Sequence, residues 1–364
     1  MDTKKLTHTF VLTLCLANLS SCAVTDFSAM DPLTTQKDAT ANAFLSPEEL
    51  AAYKQAAGYS REHRGVSMLV MKDGRIVYED YPDGHSAQDA NLIYSGTKSF
   101  SCAIAVAAIE DQLLSFDELV ARTITEWQAD PLKAKITIRQ LLSLTSGIEV
   151  GGSLIRRAPS YADAVMWPMR HPPGAVFQYG PAPFQVFGEI MQRKLAAQGE
   201  SPREYLTRRV LSPIGLEVSA WEAGPDGKPR MYGGASMPAR EWVKYGQLIL
   251  NQGRWNGKQV LNKDLLAQCF RGTEANPGYG ITFWLPMNGG IDSEGRPDAK
   301  RAAKFKEAHA PAFIVKAAGR GGQKLYVIPS HNLVVVRQAS SRWNLWGRGF
   351  NDAEFLAPVF KKDG

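Results

Sequence analysis

The sequence predicts an α/β (α+β) fold: a mixed, largely antiparallel sheet built from both chain ends, flanked by helices, with a mainly helical insertion at about 115–225. Three observations predict it. One strand pair stands near the N-terminus, in "SMLVMKDGRIVYEDY", and turns at Asp73-Gly74. Three strand candidates stand near the C-terminus, "AFIVKA", "QKLYVI" and "LVVVR", the last two joined by "PSHN". Between these ends the patterns are helical, broken by Pro and Gly, up to about residue 220. The chain has 364 residues, 44% hydrophobic and 21% charged, enough to bury a large core in one big domain or two medium ones.

The elements follow in order. Lys4 and Lys5 precede the apolar stretch "FVLTLCLANL", which is too short to span a bilayer and reads as a signal peptide over residues 1–21. "LSSC" at 19–22 resembles the bacterial lipobox, whose cleavage leaves Cys22 as a lipidated N-terminus; an ordinary signal peptide that contains a cysteine is the alternative. The resemblance, with Ala23 next, implies an outer-membrane lipoprotein facing the periplasm, and a secreted or periplasmic protein if there is no lipid. A lipid tethers a soluble domain without spanning the membrane. Residues 22–44 are small and polar and suit a tether, and 45–362 form the folded domain. "SPEEL" opens a helix, with Ser46 as N-cap, Pro47 in the first turn and Glu49 closing a capping box. "SFSCAIAVAAIEDQLL" is apolar nearly all round and predicts a buried helix, with Ser95 in its first turn. Thr137 and Gln140 form a second capping box, and Gly147 is the expected stop. "NDAEFLAPVFKK" closes the chain as an amphipathic helix that offers Phe355, Leu356 and Phe360 to one face.

Composition excludes some functions. Net charge is +6, but Lys and Arg are scattered in runs no longer than a pair, which argues against a nucleic-acid stripe. The six histidines (8, 63, 85, 171, 309 and 331) show no metal-ligand spacing with one another or with Cys. Neither metal nor cofactor is expected. Cys15 leaves with the signal and Cys22 carries lipid, so Cys102 and Cys269 remain. The compartment permits a disulfide, but two separate buried thiols are the plainer expectation.

Ser95 and Lys98 stand three apart in "NLIYSGTKSF" and would share a helix face. A serine hydroxyl is a weak nucleophile that needs a neighbouring base, and a lysine can serve when desolvation lowers its pKa. Spacing alone is weak support: with 23 serines and 20 lysines about one Ser-x-x-Lys arises by chance, and one is present. No Gly-x-Ser-x-Gly elbow occurs.

The surrounding blocks, in order, are "YSGTKSF", "TIRQLLSLTSGI", "PPGAVFQYG", "GGASMPAREWVKYGQLILNQGRWNGKQVL", "GYGITFW" and "AAGRGGQKLYVIP". This series resembles the serine β-lactamase and penicillin-binding-protein superfamily over about residues 45–360. Within it the chain is most similar to class C β-lactamase-related esterases and 6-aminohexanoate-dimer hydrolase-type amidases. The resemblance implies a β-lactamase/transpeptidase-like fold, an acyl-enzyme on Ser95, and Lys98 and Tyr179 as its acid–base groups. It also implies an oxyanion site from the Ser95 and Arg320 N–H groups, with Gly319 admitting the substrate backbone. Two positions depart from the pattern. Pro181 stands where close relatives of class C β-lactamases carry an asparagine, and Ala317-Ala318-Gly319 stands where they carry Lys-Thr-Gly. Lys316 is off register by one, which on a strand faces it to the other side, so the cation that would hold a substrate carboxylate is missing unless Arg320 substitutes.

A carboxylate that enters a pocket without its cation loses a charge-assisted hydrogen bond of about 1.5–3 kcal/mol, so a small-molecule ester or amide is the expected substrate. With that cation absent a phenolate is less favoured, which points to neutral Lys98 as the first base, with Tyr179 as the alternative. The alternatives are a β-lactamase or D-alanyl-D-alanine carboxypeptidase, and a non-catalytic binder of cell-wall fragments on the same fold. Trp284 and Tyr326 are expected as core aromatics, with pocket walls as the alternative. "GRWNGKQV" is expected to be a structural turn. Oligomeric state is not legible.

Overall fold

The computed structural model describes residues 45–151, 159–340 and 349–360. The expected signal peptide, the lipidation site Cys22, the tether and the last residues of the domain lie outside them. Helix α1 (Pro47–Glu62) starts as its sequence predicts: the Glu49 N–H donates to Ser46 Oγ at 3.1 Å, and the Ser46 N–H donates to the Glu49 carboxylate at 3.0 Å. Strands β1 (Gly65–Lys72) and β2 (Arg75–Asp80) form the hairpin, with Asp73 and Gly74 both left-handed at φ +50° and +74°. Helices α2 (Phe100–Glu110), α3 (Ala182–Lys194), α4 (Ala239–Leu250) and α5 (Lys263–Gln268) follow. The chain then returns as β3 (Val315–Gly319), β4 (Gln323–Ile328), β5 (Leu333–Ala339) and the terminal helix α6 (Asp352–Phe360).

The five strands form one sheet in the order β2-β1-β5-β4-β3, antiparallel throughout. The two chain ends meet where β1 pairs with β5, Leu69 facing Val336 and Met71 facing Val334. Both faces of this sheet are covered, so β5 is buried along its whole length rather than alternating with solvent. Alternate side chains therefore enter two different cores. Met68, Val70, Tyr326 and Val335 pack against Tyr53 and Ala57 of α1 and Phe355 and Leu356 of α6. Leu69, Met71, Leu325, Val334 and Val336 pack on the opposite face with α2 and α4. Each large apolar side chain buried this way contributes about 1.5–3 kcal/mol. "GRWNGKQV" forms a small hairpin, Arg254–Trp255 against Lys258–Gln259.

Three expectations need correction. Ser95 does not open the α-helix: Tyr94–Ser99 is a tighter 3-10 segment, and α2 begins only at Phe100. The second capping box is present, but its helix is short, Ile138–Leu142, and ends at Ser143 before Gly147 is reached. Leu144 then turns left-handed at φ +62°, which breaks the helix early. Cys102 and Cys269 are not separate thiols; they form a disulfide, with Cα atoms 6.5 Å apart across 167 residues of sequence. Packing of α2 against the end of α5 brings together two residues whose proximity no local pattern encodes. Cross-links of this kind typically stabilise a fold by about 2–4 kcal/mol.

Helix α4 crosses the sheet at Gly246, where an added Cβ would lie 2.4 Å from Val334 Cγ1 and 2.8 Å from Leu325 Cδ1. Gly246→Ala should therefore push the helix off the sheet and cost about 1–3 kcal/mol. The check is a lower urea midpoint with an unchanged slope.

Candidate active site

The site is built on the short segment Tyr94–Ser99, between the β1–β2 hairpin and α2. Ser95 is partly exposed, whereas Lys98, one turn later, is only 3% exposed. Lys98 Nζ lies 2.9 Å from Ser95 Oγ and donates to the Tyr232 carbonyl at 2.8 Å. Its remaining surroundings are aromatic, the rings of Tyr179, Phe184 and Tyr232 standing 4.9, 5.4 and 5.8 Å away. Burial without a carboxylate among these contacts pushes the amine down to about 7. In its neutral form Lys98 keeps a lone pair, and Ser95 O–H can then donate to it.

The segment is held in an unfavourable conformation. Tyr94, a bulky residue, has φ +47°, a left-handed geometry that costs of order 1–3 kcal/mol. Its neighbours fix it: the Ile93 N–H donates to Ala235 O and the Gly96 N–H to Ile93 O, each at 2.9 Å. Thr97 Oγ1 accepts from the Ala235 N–H at 3.1 Å, and Tyr245 O–H donates to Ser99 O at 2.7 Å. The block "GGASM" thus earns its place beside the nucleophile turn by pairing with it.

Tyr179 reaches the same spot from the start of α3. The Gln178 N–H donates to Leu144 O at 2.9 Å, and Pro181 takes the N-cap position of α3, so the residue that departs from the class C pattern serves here as a helix start. Burial pushes the Tyr179 phenol up to about 12, against hydrogen bonds from Ser95 and Trp284 that lower it. Trp284 packs on Tyr179 with ring centroids 5.3 Å apart, and Tyr279 meets both rings, at 6.1 Å from Tyr179 and 4.8 Å from Trp284. Trp284 is 8% exposed, at once a core aromatic and the cover of Tyr179; Tyr326 is wholly buried on the other face of the sheet.

Strand β3 closes the site. At Gly319 an added Cβ would lie 2.0 Å from the Ile93 carbonyl. The space that glycine leaves, expected to admit substrate backbone, is instead occupied by the chain's own backbone, two residues before Ser95, and this brings β3 against the Ser95 turn. Arg320 follows Gly319 at the end of β3, ahead of Gly321 and Gly322, both left-handed. Strand parity separates the two residues of interest upstream. Ala317 packs in the core with α2 and α4, whereas Lys316 points to the opposite face and donates to Asp352 of α6 at 2.7 Å. Of the residues singled out in the sequence, Ser95, Lys98 and Tyr179 come together, and Gly319 lies against Ile93 with Arg320 following it; the Tyr232 carbonyl and Tyr279, which also stand here, were not among them. Tyr279 stood in the quoted block "GYGITFW"; a backbone acceptor such as Tyr232 leaves no trace in residue types.

No group of three or more His, Cys, Asp or Glu that could hold a metal occurs among the described residues. The sequence profile of the beta-lactamase family matches residues 47–345. An uncharacterised protein of Alkalihalophilus pseudofirmus is 24% identical over 328 residues, spanning 82% of this chain and 88% of its own. Among solved structures, a protein of Bacillus anthracis assigned as a 6-aminohexanoate-dimer hydrolase superposes with a TM-score of 0.63 at 19% identity, over 83% of this chain and 79% of its own. EstCE1, a hydrolase with promiscuous acyltransferase activity, superposes with a TM-score of 0.65 at 16% identity, over 87% and 100%. At these identities the superpositions establish the fold alone.

The close approach at Gly319 can be tested directly. Gly319→Ala should displace β3 from the nucleophile turn and lower turnover of an ester substrate by about 10- to 100-fold, as small misplacements of reacting groups do. An unchanged rate would show that this contact does not set the site's geometry.

Proposed function

The chain belongs to the beta-lactamase family, and we propose that within it this protein is a serine hydrolase that opens ester or amide bonds through an acyl-enzyme on Ser95. The observation that carries this reading is the Ser95–Lys98 pair: a partly exposed hydroxyl 2.9 Å from a buried amine whose pKa is brought down to about 7.

In the proposed sequence neutral Lys98 removes the Ser95 proton as Oγ attacks the substrate carbonyl. The Tyr232 carbonyl, 2.8 Å from Nζ, stabilises the ammonium that forms. The backbone N–H groups of Ser95 and Arg320 hold the oxyanion, the first from within the nucleophile turn and the second from the end of β3. Tyr179, protonated at neutral pH because burial raises its pKa to about 12, gives its proton to the leaving alcohol or amine and regains one from Lys98. Water then attacks the acyl carbonyl with the same groups acting in reverse, releasing the acid and restoring Ser95.

Ala317 bears on the substrate. Lys316 is the nearest lysine in sequence to the motif position, but it is turned to the far side of the sheet and engaged by Asp352. A substrate carboxylate therefore lacks the strand cation that relatives cleaving β-lactams carry, which favours esters or amides without that group over penicillins and D-alanyl-D-alanine peptides. We also place the protein in the bacterial cell envelope, exported and anchored through Cys22. The Cys102–Cys269 disulfide supports an oxidising compartment.

A panel of nitrophenyl esters, anilides and a chromogenic β-lactam, run on wild type and Ser95→Ala, tests the assignment. Turnover should be confined to esters or amides and abolished in Ser95→Ala; retained turnover would sink it, and β-lactam as the best substrate would reverse the preference. The pH profile of kcat/KM provides a second check. Because the base is the unprotonated amine, the rate should fall as pH drops below about 7, and Lys98→Met should lose about 10²–10⁴-fold. A profile flat through pH 7 would remove Lys98 as the base.

A further inference from the structure

The Cys102–Cys269 disulfide stands outside the reacting groups yet joins two walls of the site. Cys102 lies in the first turn of α2, directly after the Ser95–Lys98 segment, and Cys269 follows α5. Both are fully buried. From Cys269 the chain loops out and returns across it. The Cys269 carbonyl accepts from the Ile281 N–H at 3.0 Å, and an added Cβ at Gly280 would lie 2.2 Å from that same oxygen. The loop is tied at its base by the wholly buried Asn276, which accepts from the Gly278 and Ile291 N–H groups and donates to Ile291 O. The returning turn is narrow, with Tyr279 bridged to Trp284 and the Gly280 N–H donating to Phe283 O at 2.9 Å. Its far end, Trp284, exchanges two 2.9 Å backbone hydrogen bonds with Lys316 of β3 and lays its indole on Tyr179. An unbroken path thus runs from α2, next to the Ser95–Lys98 segment, through the disulfide to the residue that covers Tyr179.

We propose that the Cys102–Cys269 disulfide is a positioning element of the active site, which holds the Tyr279–Trp284 turn against α2, the helix that continues the Ser95–Lys98 segment, and makes full turnover depend on oxidation of the two thiols. This rests on Ser95, Lys98 and Tyr179 being the reacting groups. Forming the bond removes two protons and two electrons from the cysteines, which a disulfide-exchanging oxidant takes up as it becomes a dithiol. Since both sulfurs are buried, the bond acts as a latch set during folding, and the folded enzyme resists thiol reductants.

The test compares wild type with Cys102→Ala/Cys269→Ala, both assayed well below their melting temperatures. The double variant should lose about 10- to 100-fold in kcat with little change in KM. Its near-ultraviolet tryptophan dichroism should weaken. A lower melting temperature with unchanged kcat and KM would make the bond purely stabilising and overturn the proposal.

Wild type refolded in the cold with and without dithiothreitol provides the second measurement. Recovery of kcat on re-oxidation supports the proposal. Equal kcat in both forms overturns it, and so does a reduced chain that does not fold at all, since the bond's role is then stability alone. Ser95→Ala separates the two levels: turnover in that variant defeats the acyl-enzyme reading itself, whatever the cysteine variant does.

Discussion

The burial of one amine governs this site. A lysine removed from water cannot keep its proton cheaply unless an anion or several acceptors replace the solvent. Lys98 has the Ser95 hydroxyl, one carbonyl and three aromatic rings. That environment favours the neutral form and so leaves an amine lone pair beside the Ser95 hydroxyl. It also imposes requirements on the rest of the chain. Helix α2, which follows the Lys98 segment directly, is buried along residues 100–108. The strained Tyr94 must be held by pairing with the chain near Ala235. Tyr179 must be brought in from α3 to close the third side.

A second constraint is strand parity. Because both faces of the sheet are packed, each residue of β3 belongs wholly to one side or the other. Lys316 belongs to the back, where it meets Asp352, to which Tyr326 also donates and beside which Lys324 stands at 3.5 Å. Burial alone would raise the Asp352 carboxyl, but Lys316 and then Lys324 hold it well below the usual carboxylate range. Lys316 is thereby committed to anchoring the terminal helix and is unavailable to a substrate. One residue of register decides between a cation in the pocket and a cation in the back core.

The aromatic wall depends on contacts distant in sequence. Trp284 is held by β3 through its backbone and by Tyr179 and Tyr279 through its ring. The turn that carries it is fastened to α2 through Cys269. The Tyr279 hydroxyl is buried without a hydrogen-bond partner among the described residues, and its ring stands edge-on to Tyr179. Ser95, Tyr179 and the aromatic wall thus come from three separate stretches of chain, each positioned by packing on the next.

Local chemistry explains what could be read from the sequence. The capping boxes at Ser46 and Thr137, the Asp73-Gly74 hairpin, the all-apolar α2 and the three C-terminal strands each follow from residues within one or two turns of each other, and all are present. The off-register position of Lys316 was legible too, because period-two alternation needs only a strand and its phase. Ser95 and Lys98 were visible as a pair, but their spacing was no rarer than chance, and only the ordered blocks around them raised it further. Tertiary structure alone decided the rest. The depression of the Lys98 pKa depends on what covers the amine, and its cover comes from residues 179, 184 and 232. The Cys102–Cys269 bond depends on how α2 meets the end of α5. Both are properties of packing between distant segments, and a one-dimensional pattern records which residues are available without recording which of them exclude water together.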